Sequence, residues 1–517
     1  MTGQIAAALA VLPDYLSQHV VLSVAALVLG LLISFPLAIA TVRRPVLQAP
    51  VLMIAGLIQT IPGLAMLALF YPVLLALSAL TTQAFGLKIP ALGFLPSLAA
   101  LTLYAILPIL RNTVAGLTGI DPTIREAAKG VGMTQRQRLL QVEIPLAAPV
   151  IMAGVRTSAV WTIGAATLAT PVGQTSLGNY IFSGLQTENW VFVLFGCVAA
   201  AALAFIVDLV LALVEQGVSN RNHRKIASGL LILIVGTLAA VTPLWSGAQA
   251  TYIVGAKNFS EQYILAELMA QRMRAQGAHV ALQEGLGSAI AFRALSSGDI
   301  DAYVDYTGTL WTNVMGRKDT PPRSVMLTEL TQWMRKERGV TVLGPLGFEN
   351  AYVLALQKSR AKELGIRSID DLARQASGLT LGTDIEFLDR PEWAALRDAY
   401  GLRFRQQNSY NPTFMYRALA SGTVDVISAY SSDGRIAADN LVVLEDPRHA
   451  VPNYDAVLLL APKRANDPVL HRALRPLVGA ISVEAMRVAN YAVDRDDDKR
   501  SPALAAEELA RAIGIAP

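Results

Sequence analysis

Residues 121–149 read Asp121-Pro-Thr-Ile-Arg-Glu126-Ala-Ala-Lys-Gly130-Val-Gly132-Met-Thr-Gln-Arg-Gln-Arg-Leu-Leu-Gln-Val-Glu-Ile144-Pro145-Leu-Ala-Ala-Pro149. The segment carries its own punctuation. Asp121 can cap a helix whose first residue is Pro122. That helix is short and stops at Gly130 or Gly132, and a second, basic segment then runs to Pro145. Long apolar runs flank the segment on both sides. A polar, locally structured insert between two such runs is too long for a bare connector. It divides a series of membrane spans and gives the first part of the chain its class.

A span needs about 20 mostly apolar residues. Six such stretches lie near 19–42, 50–80, 94–118, 148–171, 190–214 and 226–245. The second is too long for one straight helix, and Pro62-Gly63 and Pro72 predict a kink or a short surface helix within it. Composition agrees. The 517 residues are 53% hydrophobic and 16% charged, with mean hydropathy +0.43; a soluble domain is nearer 25% charged. Only 19 charged residues fall in the first 225, so the remaining 292 residues carry the charge density of a globular domain. A disordered chain, a disulfide scaffold and a simple cytosolic enzyme are excluded. The single cysteine, Cys197, cannot form an intrachain disulfide and reads as a small buried hydrophobe.

The connections orient the spans. Arg43 and Arg44, then Arg125, Lys129, Arg136 and Arg138, then Arg221, Arg224 and Lys225 follow the first, third and fifth spans. The alternate connections hold only Lys88. Positive residues favour the cytoplasmic side. The expected protein therefore starts outside and returns outside after about residue 246. The net charge of +4 reads as orientation, with no nucleic acid implied. The sixth stretch also resembles a signal peptide: basic His223-Arg-Lys225, an apolar run, then Ala248-Gln-Ala250. Retention as a span and cleavage after Ala250 both export the C-terminal part. Arg111, Arg156 and Asp208 fall within about two turns of the cytoplasmic face and read as snorkelling charges.

The 121–149 segment resembles the EAA loop of ABC importer permeases: Glu-Ala-Ala, a glycine a few residues on, then Ile-Pro before the next span. The resemblance implies a MetI-like permease, with Glu126, Ala127, Ala128 and Gly132 as the positions that dock on an ATP-hydrolysing subunit. Small side chains let one backbone approach another. No G-x-x-x-x-G-K-[ST] loop occurs in the chain, so ATP is expected on another polypeptide. The scattered histidines give no metal-ligand spacing, and no nucleophile elbow occurs. No catalytic residue, metal or cofactor is expected.

After Ala250 the period changes. Tyr252-Ile-Val-Gly is a strand, and Asn258 with Glu261 three residues on predicts a reciprocal cap for the next helix. Ile264, Leu265, Leu268, Met269 and Met273 share one face of that helix. A strand at 280–283, a helix over 288–297 and a strand from Ile300 to Tyr306 come next. The alternation recurs with strands at 351–357, 379–383, 424–429, 441–444 and 456–461, which predicts an α/β fold with a largely parallel sheet in two lobes. Lys257, Tyr306, Tyr352 and Tyr430 fall at strand ends, where such folds bind ligands.

Five strings carry a second resemblance: Lys257-Asn-Phe-Ser-Glu-Gln262, Gly298-Asp-Ile-Asp-Ala-Tyr-Val-Asp-Tyr306-Thr-Gly-Thr309, Gly347-Phe-Glu-Asn350-Ala-Tyr352, Glu386-Phe-Leu-Asp-Arg390 and Asp425-Val-Ile-Ser-Ala-Tyr430-Ser-Ser-Asp433-Gly434. They resemble the type II binding proteins of glycine betaine/carnitine/choline (osmoprotectant) ABC importers, and a permease fused to its binding protein also occurs among the related ergothioneine importers. The resemblance implies a cage of Tyr306, Tyr352, Tyr430 and, from Pro452-Asn-Tyr-Asp, Tyr454. A trimethylammonium head is a cation without N–H donors, so ring faces suit it. Lys257, Thr309, Asn350 and Arg390 are the candidate donors to a carboxylate or hydroxyl. Arg390 can alternatively sit in a surface ion pair with Asp389 or Glu392.

The expected architecture is an all-α transmembrane permease domain (1–220), a sixth span or linker (221–250) and an extracytoplasmic α/β two-lobed substrate-binding domain (251–517). The resemblance implies two copies of this chain with two ATPase subunits in a bacterial cytoplasmic (inner) membrane. The expected solute is a quaternary ammonium osmolyte, with ergothioneine as the alternative. A membrane-tethered solute sensor is the reading from another class.

Overall fold

A computed structural model describes residues 2–86, 89–186, 189–246, 252–317, 319–410, 412–495 and 498–515. Lys88 and Ala250 lie outside the described residues. The chain divides into two compact units, one largely of the residues before Ala248 and one largely of those after it.

The first unit is helical. Its elements are α1 (Thr2–Arg43), α2 (Pro45–Thr60), α3 (Gly63–Phe85), α4 (Phe94–Thr118), α5 (Pro122–Gly130), α6 (Gln135–Arg138), α7 (Ile144–Ala166), α8 (Gly178–Gln186), α9 (Trp190–Ser219) and α10 (His223–Ser246). Among the described residues, six helical stretches are long and apolar enough to cross a membrane: Gln4–Arg43, Gly63–Phe85, Phe94–Thr118, Gln135–Val172, Trp190–Ser219 and His223–Thr242. The expected 50–80 span is two helices, broken at Ile61 and Pro62 ahead of Gly63. Pro62 has no N–H to continue a helix, so the chain breaks there and restarts. Close approach holds α1 and α7 to α4. A Cβ on Gly30 would stand 2.7 Å from the Ala105 Cβ, and one on Gly154 would stand 2.6 Å from the Asn112 Cβ. Small residues at such crossings are how helices associate without a hydrophobic driving force.

Two readings of this unit are corrected. Cys197 is exposed on α9, beside exposed Leu194 and Val198. Outward positions of a membrane helix are as apolar as a core, so an apolar run does not imply protein burial. Arg156 does not stand as a lone snorkelling charge. Its Nε and Nη2 donate to the two Asp208 carboxylate oxygens at 2.5 and 2.8 Å, and Nη1 reaches Glu215 at 3.2 Å. Three charges in apolar helices are less costly together than apart.

The segment 121–149 folds as its punctuation implies. The Asp121 carboxylate accepts the Thr123 N–H, Pro122 opens α5, and Gly132 adopts φ +81°. Thr134 and Gln137 then form a reciprocal capping box at α6. A π-helical turn, Leu139–Glu143, joins α6 to α7, so Pro145 sits at the start of a continuing helix rather than at a break.

The second unit holds two five-stranded sheets. The strands are β1 (Tyr252–Lys257), β2 (Val280–Leu286), β3 (Ala302–Tyr306), β4 (Thr341–Glu349), β5 (Tyr352–Gln357), β6 (Thr380–Asp384), β7 (Gln406–Tyr410), β8 (Val426–Tyr430), β9 (Leu441–Val443) and β10 (Asp455–Leu460). The orders are β2-β1-β3-β10-β4 and β7-β6-β8-β5-β9. The sheets are mixed, which corrects the largely parallel expectation. β10 runs antiparallel between β3 and β4, and β5 runs antiparallel between β8 and β9. Each of these strands arrives from the opposite lobe, so its direction is set by the crossing and not by a β-α-β unit. Helix alternation along the sequence cannot reveal that.

Both crossings pass one point: the Asn350 N–H, between β4 and β5, donates to the Tyr454 carbonyl, just before β10, at 2.9 Å. The helix α11 (Ser260–Ala275) buries Ile264, Leu265, Leu268, Met269 and Met273 as its period predicts. Its cap is different. Phe259 is the N-cap, with no side-chain hydrogen bond, and the predicted Asn258–Glu261 exchange does not form. Glu261 is turned into the protein instead.

Candidate functional site

The strand ends converge on a cavity of about 70 Å³ in the second unit, several times the roughly 10–15 Å³ that one water requires. All eight residues singled out for binding line it: Tyr306, Tyr352, Tyr430, Tyr454, Lys257, Thr309, Asn350 and Arg390. The topology explains the convergence. Tyr352 opens β5 and Tyr430 closes β8, and the antiparallel register sets them opposite each other. Tyr306 closes β3, and Tyr454 lies one residue ahead of β10, the neighbouring strand.

The rings form one cluster. Centroids of Tyr352 and Tyr430 are 4.9 Å apart, and those of Tyr352 and Tyr454 are 6.2 Å apart at 85°. Phe259, which stands in the first family-like string but is not among the eight residues singled out for binding, bridges the remaining gap. It stacks on Tyr430 at 5.8 Å and on Tyr306 at 6.2 Å. Burial pushes the Tyr306, Tyr352, Tyr430 and Tyr454 phenols above their ordinary range, and they stay neutral. Neutral phenols present apolar walls and electron-rich faces.

The polar groups divide by role. Lys257 is fully buried and ion-paired with Asp305, with its ammonium 5.2 Å from the Tyr306 ring centroid. Asn350 donates its amide to Glu261 at 3.0 Å and leaves its own carbonyl oxygen buried without a partner. Arg390 is buried at its side chain and sits over the Tyr352 ring at 5.2 Å. It donates to Glu386 at 2.8 Å and Ser288 at 3.2 Å, and its Nη1 lies 3.6 Å from Glu392. Its Nε and Nη1 have no hydrogen-bond partner. The surface pairing considered for it is therefore wrong: Glu392 is a partner, but one buried behind the cavity. Buried guanidinium donors left open are rare and suit a carboxylate ligand. Asp384 and Glu386 also line the cavity. Burial holds the Asp384 carboxyl above its usual range. Asp384 belongs to none of the five family-like strings, and it ends β6, where the strand-end rule could have found it.

In the first unit, Glu126, Ala127 and Gly132 are exposed and Ala128 is buried. Arg125, on the opposite side, reaches the Leu117 carbonyl and lies 3.6 Å from Glu143. The short helix is thus pinned from behind, with Glu126, Ala127 and exposed Val131 left open.

Residues 250–512 match the substrate-binding domain of ABC-type glycine betaine transport systems, and residues 26–220 match the inner-membrane component of binding-protein-dependent transport systems. The first match alone spans half of the chain. The chain belongs to this transport family. It is a MetI-like permease and a glycine betaine-type substrate-binding domain in one polypeptide, hence a multi-pass membrane protein and a transport subunit.

Similar proteins share the parts or the whole. An ergothioneine transport permease/ergothioneine binding protein of Helicobacter pylori (strain G27) is 27% identical over 90% of this chain and 84% of its own length. A choline transport system permease protein of Bacillus subtilis (strain 168) is 40% identical over 40% of this chain and 89% of its own length. A solved glycine betaine/carnitine/choline ABC transporter structure is 28% identical, with a TM-score of 0.44, over 50% of this chain and 98% of that one.

Proposed function

We propose that the chain imports a solute bearing a trimethylammonium head and an anionic or hydroxyl tail. The C-terminal domain, 251–517, captures the solute on the extracytoplasmic side. Residues 1–220 conduct it, and 221–250 tether the two. Two copies of the chain and two copies of a separate ATPase form the working importer, with ATPase-driven motion entering at Glu126, Ala127, Ala128 and Gly132. The observation that carries the reading is the convergence of Tyr306, Tyr352, Tyr430 and Tyr454 on one cavity, with the open donors of Arg390 at its edge. Each ring face is worth roughly 0.5–2 kcal/mol to a desolvated cation, so four faces approach micromolar binding only at the upper end of that range.

A second reading, ergothioneine, draws support from two observations. The relative matched over 90% of the chain is an ergothioneine transporter. The cavity also holds the acceptors Asp384 and Glu386. Glycine betaine has no N–H or O–H to offer a carboxylate, whereas ergothioneine adds a ring N–H.

Calorimetry on the purified chain with glycine betaine, carnitine, choline and ergothioneine separates the readings. Heat with the first three supports the osmolyte. Heat with ergothioneine alone would sink it, and silence from all four would sink the cage.

A further inference from the structure

Every phenol of the cluster leads to a buried carboxylate. The Tyr306 hydroxyl donates to Glu261 at 2.5 Å. The Tyr454 hydroxyl donates to Glu392. The Tyr430 hydroxyl donates to Asp384 at 3.4 Å, and the Tyr352 and Tyr430 hydroxyls meet at 3.1 Å. Glu261, Asp384 and Glu392 are 3%, 4% and 1% exposed.

A buried phenol needs an acceptor, but a backbone carbonyl would serve without burying a charge. Charge compensation inside the protein is uneven, and Arg390 acts on Asp384 only from beyond ion-pair distance. Lys257 pairs with Asp305, and Arg390 pairs with Glu386 and shares Glu392. Among the described residues no cationic nitrogen lies within 4.0 Å of Glu261 or Asp384. Glu261 is instead held by four neutral donors, two on each oxygen: Tyr306 at 2.5 Å and Asn350 at 3.0 Å, then Ser432 at 2.5 Å and Asn490 at 2.9 Å. Burial pushes the Glu261 carboxyl above its usual range, and these four donors pull it back towards an anion whose counter-charge comes from elsewhere.

We propose that Glu261, Asp384 and Glu392 are specificity-determining residues that back the tyrosine cage and select a cation over a neutral molecule of the same shape. The inference rests on the cage reading and goes beyond it. A phenol that donates to a carboxylate carries more electron density on its oxygen and its ring face. The carboxylate behind it adds a field that a low-dielectric site does not screen. The rings supply shape, and the acids supply the preference for charge. Glu261 and Glu392 act through the tyrosines and need not touch the solute, whereas Asp384 also lines the cavity.

The test uses the full chain in detergent and two probes. Choline is one, titrated to tens of millimolar so that head-group binding alone registers; 3,3-dimethylbutan-1-ol, its neutral carbon isostere, is the other. Glu392→Gln keeps the shape and an acceptor for Tyr454. It is expected to weaken choline roughly fivefold or more while changing the alcohol less than about twofold. Tyr454→Phe is expected to lose a similar amount, and the double variant little further, because both remove one interaction. Glu261→Gln with Tyr306→Phe repeats the cycle and covers the case in which one variant misfolds. Equal losses for both probes would make the acids structural and overturn the proposal. So would unchanged choline binding in both Gln variants. A wild-type chain that binds neither probe overturns the cage itself, which the first two outcomes leave standing.

Discussion

Tyr352 and Tyr430 stand directly opposite one another in the antiparallel β5–β8 ladder, and their hydroxyls meet at 3.1 Å. One strand follows the crossing between the two sheets and the other ends beside it, so this pair places two of the clustered rings at that crossing. Tyr352→Ala and Tyr430→Ala are each expected to weaken solute binding at least tenfold, about 1.4 kcal/mol, which one lost ring face can supply. Tyr352→Phe keeps the face and is expected to bind within a few-fold of the wild type. Titration calorimetry on the folded variants decides, and an Ala variant that binds like the wild type removes that ring from the cage.

Arg390 is expected to separate solutes by their tails. Its Nε and Nη1 are buried and open, and a guanidinium fork matches a carboxylate. Arg390→Gln is expected to cost glycine betaine or carnitine more than tenfold and to leave choline, which lacks the carboxylate, within about threefold. Equal losses for both classes would mean that Arg390 supports Tyr352, over which it sits, rather than reading the tail.

Local chemistry was readable before the fold. Asp121, Pro122 and Gly132 announce a short capped helix in any context, and Tyr306, Tyr352 and Tyr430 stand at strand ends because the strands are periodic. What failed depends on distant partners. Glu261 has the spacing of a capping-box residue, yet four donors from four separate segments outcompete the helix end. β4, with Gly344, Pro345 and Gly347 inside it, lacks any strand period and is held by its pairing to β10. Phe259 stands in the first family-like string, yet nothing local marks it as part of the ring cluster, because its place is set by the turn between β1 and α11. Arg156 found its carboxylates 52 and 59 residues away.

Coupling to the ATPase is testable apart from binding. Glu126 and Ala127 are exposed on α5 while Arg125 ties its other side to Leu117 and Glu143. Glu126→Lys reverses a charge on that open surface without disturbing a buried contact. It is expected to leave solute binding unchanged and to reduce uptake into proteoliposomes, assembled with the ATPase, to background. Uptake at the wild-type rate would reject the coupling assignment.

Asp494 makes a stability prediction with a definite sign. Its carboxylate is buried, accepts the Ser260 hydroxyl at 2.5 Å, and faces Arg435 at 3.9 Å, with Asp433 and Lys499 also nearby. Burial pushes its pKa from 3.8 up to about 6, against the pull of Arg435. A raised folded-state value means that the folded protein holds this proton more tightly than the unfolded chain. The associated stability is therefore fully present below about pH 4 and is lost as pH rises through about 6. Asp494→Asn mimics the protonated group at every pH. It is expected to be more stable than the wild type near pH 8, by on the order of 2 kcal/mol, with the gap closing towards pH 4. Thermal midpoints of both chains across that range measure it. A gap that stays constant with pH would show that Asp494 titrates alike in the folded and unfolded chain.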